Sequence, residues 1–195
     1  MDRAQDLVNH GPNADLIELL EQQPELVTTV DGDCRTVLQH AIAAKRTELV
    51  ETLVERFEWS YSHQDEAGWT ALHQAASLGM TSTVKLLLPH YPNVIISKGG
   101  QTPLHYAAGK GHIAVVRLLL SMATIRDARG QTALHRAATL GRTEVVELLL
   151  AHSPQLINWM DADKATALDL AEQDGHETTA AYLLECGGQL GGGEQ

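Results

Sequence analysis

Aromatic side chains are scarce in this sequence, at 4% of 195 residues, with Phe57 the single phenylalanine. A core assembled around large rings is therefore excluded. The 44% of residues that are apolar must fill the interior mainly as Leu, Val, Ile and Ala, which suit short helices packed at close range. Cysteine is nearly absent too. Cys34 and Cys186 stand near opposite ends and form no Cys-x-x-Cys or Cys/His zinc spacing, so a reducing intracellular compartment is the natural setting. Long hydrophobic runs are missing. The longest, such as 113–116 and 118–120, fall far short of a bilayer span, and the charge scattered through the first twenty residues leaves no run of signal length. A soluble protein of the cytoplasm and nucleus is expected, with no membrane partner. Positive charge is in short supply: 14 Lys and Arg face 25 Asp and Glu, a net charge of -11 that argues against nucleic acid as a partner.

What is present is a repeat. Gly68-Trp-Thr-Ala-Leu-His-Gln-Ala75 returns as Gly100-Gln-Thr-Pro-Leu-His-Tyr-Ala107 and again as Gly130-Gln-Thr-Ala-Leu-His-Arg-Ala137. Weaker copies flank these at Cys34–Ala41 and Lys164–Ala171. The anchoring threonines Thr36, Thr70, Thr102, Thr132 and Thr166 are separated by steps of 34, 32, 30 and 34 residues. Each copy can be read physically. Thr102 suits a helix N-cap, and Pro103 suits the first helical position, where a missing N–H costs nothing. Leu104, Ala107 and Ala108 then face the stack, and Gly111 supplies a left-handed ending, a place Gly79, Gly141 and Gly175 fill in other copies. A second helix follows, with Val115, Val116, Leu118, Leu119 and Leu120 on one face, mirrored by Val145, Val146, Leu148, Leu149 and Leu150.

The Thr-Pro-Leu-His-x-Ala signature at Thr102 and the period near 33 resemble the ankyrin-repeat family. The resemblance implies an all-α solenoid of helix-turn-helix units joined by β-hairpin loops, in about six repeats including two atypical caps. The repeats are expected near 1–30, 31–64, 65–96, 97–126, 127–160 and 161–190, in one domain, with 191–195 as a flexible tail. Asp169 departs from the pattern by replacing the motif histidine of the last repeat.

Several groups invite a chemical reading. His73, His105 and His135 share one motif position, but no zinc-ligand spacing accompanies them; the family pattern implies imidazoles that tie each helix start to the neighbouring loop. Gly109-Lys-Gly111 lacks the Lys-Ser/Thr ending of a phosphate loop. No nucleophile elbow, His-Glu-x-x-His or Cys/His dyad occurs, so no catalytic residue, cofactor or metal is expected and the protein is read as a non-enzyme. The carboxylates of the second helices, Glu48, Glu51, Glu55, Glu144 and Glu147, read as a solvated face.

Surface recognition remains. The family resemblance places it on hairpin tips and the exposed side of the first helices, which together make the concave face, at positions the motif leaves open. In the second repeat these include Asp33, Arg35 and His40; in the third, Glu66, Trp69, Ser77 and Leu78. The fourth offers Lys98, Gln101, Tyr106 and Lys110, and the fifth Arg129, Gln131 and Arg136. Arg35, Lys98, Lys110, Arg129 and Arg136 outnumber Asp33 and Glu66, so this face is expected to be basic on an acidic protein, turning acidic at the last repeat, which offers Asp163, Gln173 and Asp174. Trp, Tyr and Arg are the residue types most enriched at binding hot spots. Within the family, residues 29–36, 65–70, 102–108 and 134–138 are similar to the gankyrin-type chaperones of the proteasome regulatory particle. That likeness implies a monomer that holds the C-terminal domain of a base ATPase subunit. The chain departs from that type in being one repeat shorter. Leu168-Asp-Leu-Ala-Glu172 also lacks the cysteine of the segment linked to retinoblastoma-protein binding, so that partner is not carried over. The alternative is an unrelated ankyrin adaptor or inhibitor that docks a kinase or transcription factor.

Overall fold

The structure, a computed structural model, describes residues 1–192; of the expected 191–195 tail, 193–195 lie outside the described residues. The chain divides into two compact units, Met1–Lys98 and a second beginning at Gly99. Each is a stack of three helix pairs. The first contains α1 (Asp2–His10) and α2 (Asn13–Gln22), α3 (Val37–Ala43) and α4 (Thr47–Arg56), and α5 (Ala71–Ser77) and α6 (Thr81–Leu87). The second contains α7 (Pro103–Lys110) and α8 (Ile113–Leu118), α9 (Ala133–Thr139) and α10 (Thr143–His152), and α11 (Ala167–Gln173) and α12 (Glu177–Glu185). The all-α repeat read from the sequence is what the chain adopts. No strand ladder forms among the described residues, where the one bridge pairs Val30 with Thr36. The hairpins are tips too short for a sheet.

Local chemistry explains each repeat. Asp31, Asp65, Asp127 and Asp161 open their hairpins, and one carboxylate oxygen of each accepts the N–H groups two and four residues on, at 2.8–3.0 Å. This Asx arrangement folds the tip locally. Successive tips inside each unit are then linked by backbone bonds: Glu66 N–H to Asp33 O and Lys98 N–H to Ala67 O in the first, Ala128 N–H to Gly99 O and Ala162 N–H to Arg129 O in the second, all 2.9–3.2 Å.

Every motif threonine caps its first helix in a capping box, with the partner side chain drawn from position three: Gln39, His73, His105, His135 or Asp169. Gly111 ends α7 at φ 77°. Lys45 holds the same left-handed place after α3, at φ 55°, although it carries a side chain. The core is aliphatic. Leu16, Leu20, Ile42, Leu49, Leu53, Leu72 and Leu87 are fully buried in the first unit, and Leu104, Leu119, Leu134, Leu149 and Leu156 in the second. Alanines at 0% exposure, including Ala107, Ala108, Ala137 and Ala138, let the first helices approach closely. Leu118, Leu120 and Leu148, expected on the buried stripe, are only half-buried. Around the first two the reason is plain: α8 stops after six residues and a short 3-10 turn, Leu120–Met122, re-aims the chain.

Candidate protein-binding surface

The histidines at the motif position are structural. His105 accepts the Thr102 N–H at Nδ1 (3.1 Å) and donates from Nε2 to Gln131 O (3.0 Å) of the next hairpin. His135 does the same between Thr132 and Trp159 O, at 3.2 and 3.0 Å. Burial pushes both imidazoles below their ordinary value, partly opposed by those carbonyl bonds. Gln39 reproduces both roles in the second repeat, its amide oxygen accepting Thr36 N–H (3.0 Å) and its NH2 donating to Trp69 O (3.0 Å). His176 and Arg142, which start second helices, reach back to carbonyls at the end of the first helix of the preceding repeat: Thr139 O at 3.0 Å and Gly109 O at 3.1 Å. Among the described residues no group of three His, Cys, Asp or Glu could hold a metal ion, and no helix is long and apolar enough to cross a membrane.

The residues singled out for recognition fall on the hairpin tips and first helices of both units. In the first unit Trp69 is half-buried on its tip. Its backbone is fixed from both sides, the N–H donating to Asp65 Oδ1 (2.8 Å) and the carbonyl accepting from Asp65 N–H (2.9 Å) and Gln39. An anchor held this way loses little freedom on binding. Ser77 and Leu78 are half-buried at the end of α5, while Glu66 and Lys98 are exposed. In the second unit Lys110 and Arg129 are exposed, Gln101 and Tyr106 half-buried, and Gln101 Nε2 lies 3.4 Å from Asp127 Oδ2. Arg136 is half-buried, and its Nε–H is enclosed without an acceptor.

Three expectations are corrected. Gln131 is buried, 6% exposed, with its NH2 spent on Asp161 Oδ2 at 2.9 Å, so it fastens one hairpin to the next. His40 is buried as well, its Nε2 2.7 Å from Asp31 Oδ2. Arg35 is not a free cation, since its guanidinium sits against Asp31 and Asp33. With that charge neutralised, the shallow 380 Å³ concavity lined by Asp33, Arg35, Asp65, Glu66 and Ala67 is acidic. Of the basic residues expected from the second to the fifth repeat, Lys98 in the first unit and Lys110, Arg129 and Arg136 in the second form no ion pair among the described residues.

Sequence reading passed over Arg126. Its guanidinium donates to Gly130 O (2.8 Å) and Met160 O (2.6 Å) and lies 4.6 Å from the Trp159 ring centroid. The signal was available: Arg126 precedes a hairpin aspartate, as does Gln64, whose NH2 bonds Gly68 O and Ile96 O at 2.6 and 2.7 Å.

Comparison with known proteins agrees with this architecture. A family model described as ankyrin repeats matches three times, over residues 6–96, 38–128 and 122–191. A 26S proteasome non-ATPase regulatory subunit 10 from Dictyostelium discoideum is 34% identical over 83 residues, 43% of this chain and 36% of that protein. BCL-6 corepressor-like protein 1 of mouse and of human is 37% identical over 59 residues, 30% of this chain and 3% of theirs. The chain thus spans about a third of the first relative and a small fraction of the others. With six helix pairs, five of them capped by Thr and a position-three side chain, and family matches from residue 6 to 191, the chain belongs to the ankyrin-repeat family.

Proposed function

We propose that this protein is a protein-binding scaffold of the gankyrin type, which holds the C-terminal domain of a proteasome base ATPase subunit during assembly of the regulatory particle. The observation that carries the reading is the 83-residue likeness to a proteasome regulatory subunit. It joins the family's general use, recognition of other proteins by hairpin tips and first helices. The surface chemistry supports it. Trp69 is a fixed aromatic anchor, and Lys110, Arg129 and Arg136 offer charge to carboxylates, with the enclosed Nε–H of Arg136 still lacking an acceptor.

Affinity purification of the chain from its native cell tests the proposal. Enrichment of base ATPase subunits is the expected result; a preparation free of proteasome subunits, or one carrying a transcriptional corepressor or kinase instead, overturns it. With an ATPase C-terminal domain in hand, Trp69→Ala is expected to weaken binding by about 2 kcal/mol or more, roughly thirtyfold. Joint reversal of Arg129 and Arg136 to Glu is expected mainly to slow association and to flatten its salt dependence. Unchanged affinity in both variants would remove these residues from the interface.

A further inference from the structure

We infer that residues 187–191 form a latched strap that closes the last repeat against a further hairpin, with Asp169 and Gly191 as the latch. The inference is independent of which partner the recognition surface takes. It starts from a reversal of hydrogen-bond polarity. In earlier repeats the position-three side chain donates to a carbonyl of the next repeat: Gln39 to Trp69 O and His105 to Gln131 O on the hairpin, and His135 to Trp159 O just before it, each at 3.0 Å. Asp169, at that position in the last repeat, can only accept. It keeps the capping box with Thr166 N–H (2.7 Å) and, where its predecessors meet a carbonyl, it meets the N–H of Gly191, also at 2.7 Å. The side chain is thus matched to the strap and mismatched to a hairpin of the kind its neighbours receive.

The rest of the segment is fitted as closely. Gly188 N–H donates to Leu183 O (2.8 Å), Asn158 Nδ2 to Gly187 O (3.3 Å), and Gln189 N–H to Asn158 Oδ1 (2.8 Å). The Thr166 hydroxyl lies 2.8 Å from Gln189 O and 2.7 Å from Asp169 Oδ2, one proton serving both. Gly191 tolerates no substituent: a Cβ there would stand 1.9 Å from Lys164 O. At Gly192, the next residue, a Cβ would meet nothing within 4 Å. The strap therefore occupies the ground on which a following hairpin would stack, and Leu184 and Leu190, 53% and 56% exposed, leave this end partly apolar. The occupant that the strap excludes is a second copy of this chain, stacked end on.

Amide exchange of the full chain, followed residue by residue, tests the latch. In the unmodified protein the Gly191 and Gln189 amides are expected to exchange about tenfold or more below the free rate. Gly191→Ala should abolish that protection through the clash with Lys164 O. Asp169→His should abolish it too while keeping the helix cap, because a ring N–H would then face the Gly191 N–H; Gly192→Ala should leave it intact. In sedimentation at about 100 µM (an order-of-magnitude working concentration), the two latch variants should gain mass towards dimer while the unmodified chain and Gly192→Ala stay monomeric. Free-rate exchange at Gly191 in the unmodified chain, protection that survives Gly191→Ala, or latch variants as monomeric as the parent would each overturn the inference.

Discussion

Replacing His105 and His135 together by glutamine separates their structural role from their titration, and the second repeat shows that glutamine can fill the position. Gln39 caps Thr36 and bridges to Trp69 O with the geometry the two histidines use. The double variant is therefore expected to lose about 1 kcal/mol or less per site at pH 7.5, near the low end of the cost of altering a satisfied buried hydrogen bond. Its pH response should change far more. The folded imidazoles are held below their ordinary pKa, first by burial. A proton on Nδ1 would also set N–H against the Thr102 or Thr132 N–H. As pH falls below about 6.5 the unfolded chain takes up protons that the folded chain refuses, so stability present above that value is lost on acidification. At pH 5.5 the ceiling is about 1.4 kcal/mol per histidine, or about 3 kcal/mol for the pair. Chemical denaturation at pH 7.5 and 5.5 measures it: the parent should lose more stability over that interval than the double variant, by up to that amount. An equal loss in both proteins would refute the reasoning. A variant that is severely destabilised at pH 7.5 would show instead that glutamine is no substitute here.

The remaining expectations concern helix ends. Gly141 and Gly175 share the left-handed turn position at φ 63° and 73°, but a Cβ at Gly141 would lie 2.6 Å from His176 Nδ1, whereas at Gly175 it would meet nothing within 4 Å. Gly175→Ala should cost about 1 kcal/mol, from backbone conformation alone. Gly141→Ala should cost about 2–4 kcal/mol, because it also displaces the ring that bonds Thr139 O; equal melting shifts for the two variants would contradict this. Arg46 donates to Leu7 O, Val8 O and Gly11 O at 2.6–2.8 Å and so closes the end of α1. Arg46→Ala should release that helix, seen as amide exchange in residues 4–10 faster by about tenfold or more with α7 to α12 unaffected.

Much of this was legible in the residues. Thr-Leu-His spacing revealed the first helices, their caps and the turn glycines, because those features are local and repeat in register. The histidine ties were readable for the same reason. What the sequence hid were side chains whose partners meet them only on folding, about 30 residues away in one case and within a single hairpin in another. Gln131 looks like an open tip residue until Asp161 is brought beside it, and Arg35 looks like a free cation until its own hairpin folds Asp31 and Asp33 around it. The hairpin aspartates could have been found: Asp31, Asp65, Asp127 and Asp161 each stand five residues before a motif threonine. The strap escaped because a glycine-rich stretch suggests mobility, and only the 1.9 Å that would separate an added Cβ at Gly191 from Lys164 O shows why the residue must be glycine.

The uneven repeat lengths have a use of their own. Where the step between motif threonines is 34 residues the second helix has ten residues, as in α4 and α10; where it is 32 or 30, α6 and α8 have seven and six. All the slack is taken up behind the hairpins. A loss of four residues shortens a second helix by about one turn, near 6 Å, yet the first helix that follows still begins at its capped threonine. Insertions and deletions in this chain therefore have a tolerated location. Segments spliced into the turns after α6 or α8 should leave the recognition residues of their own unit in place, which makes those turns the natural points for attaching a label or a tether.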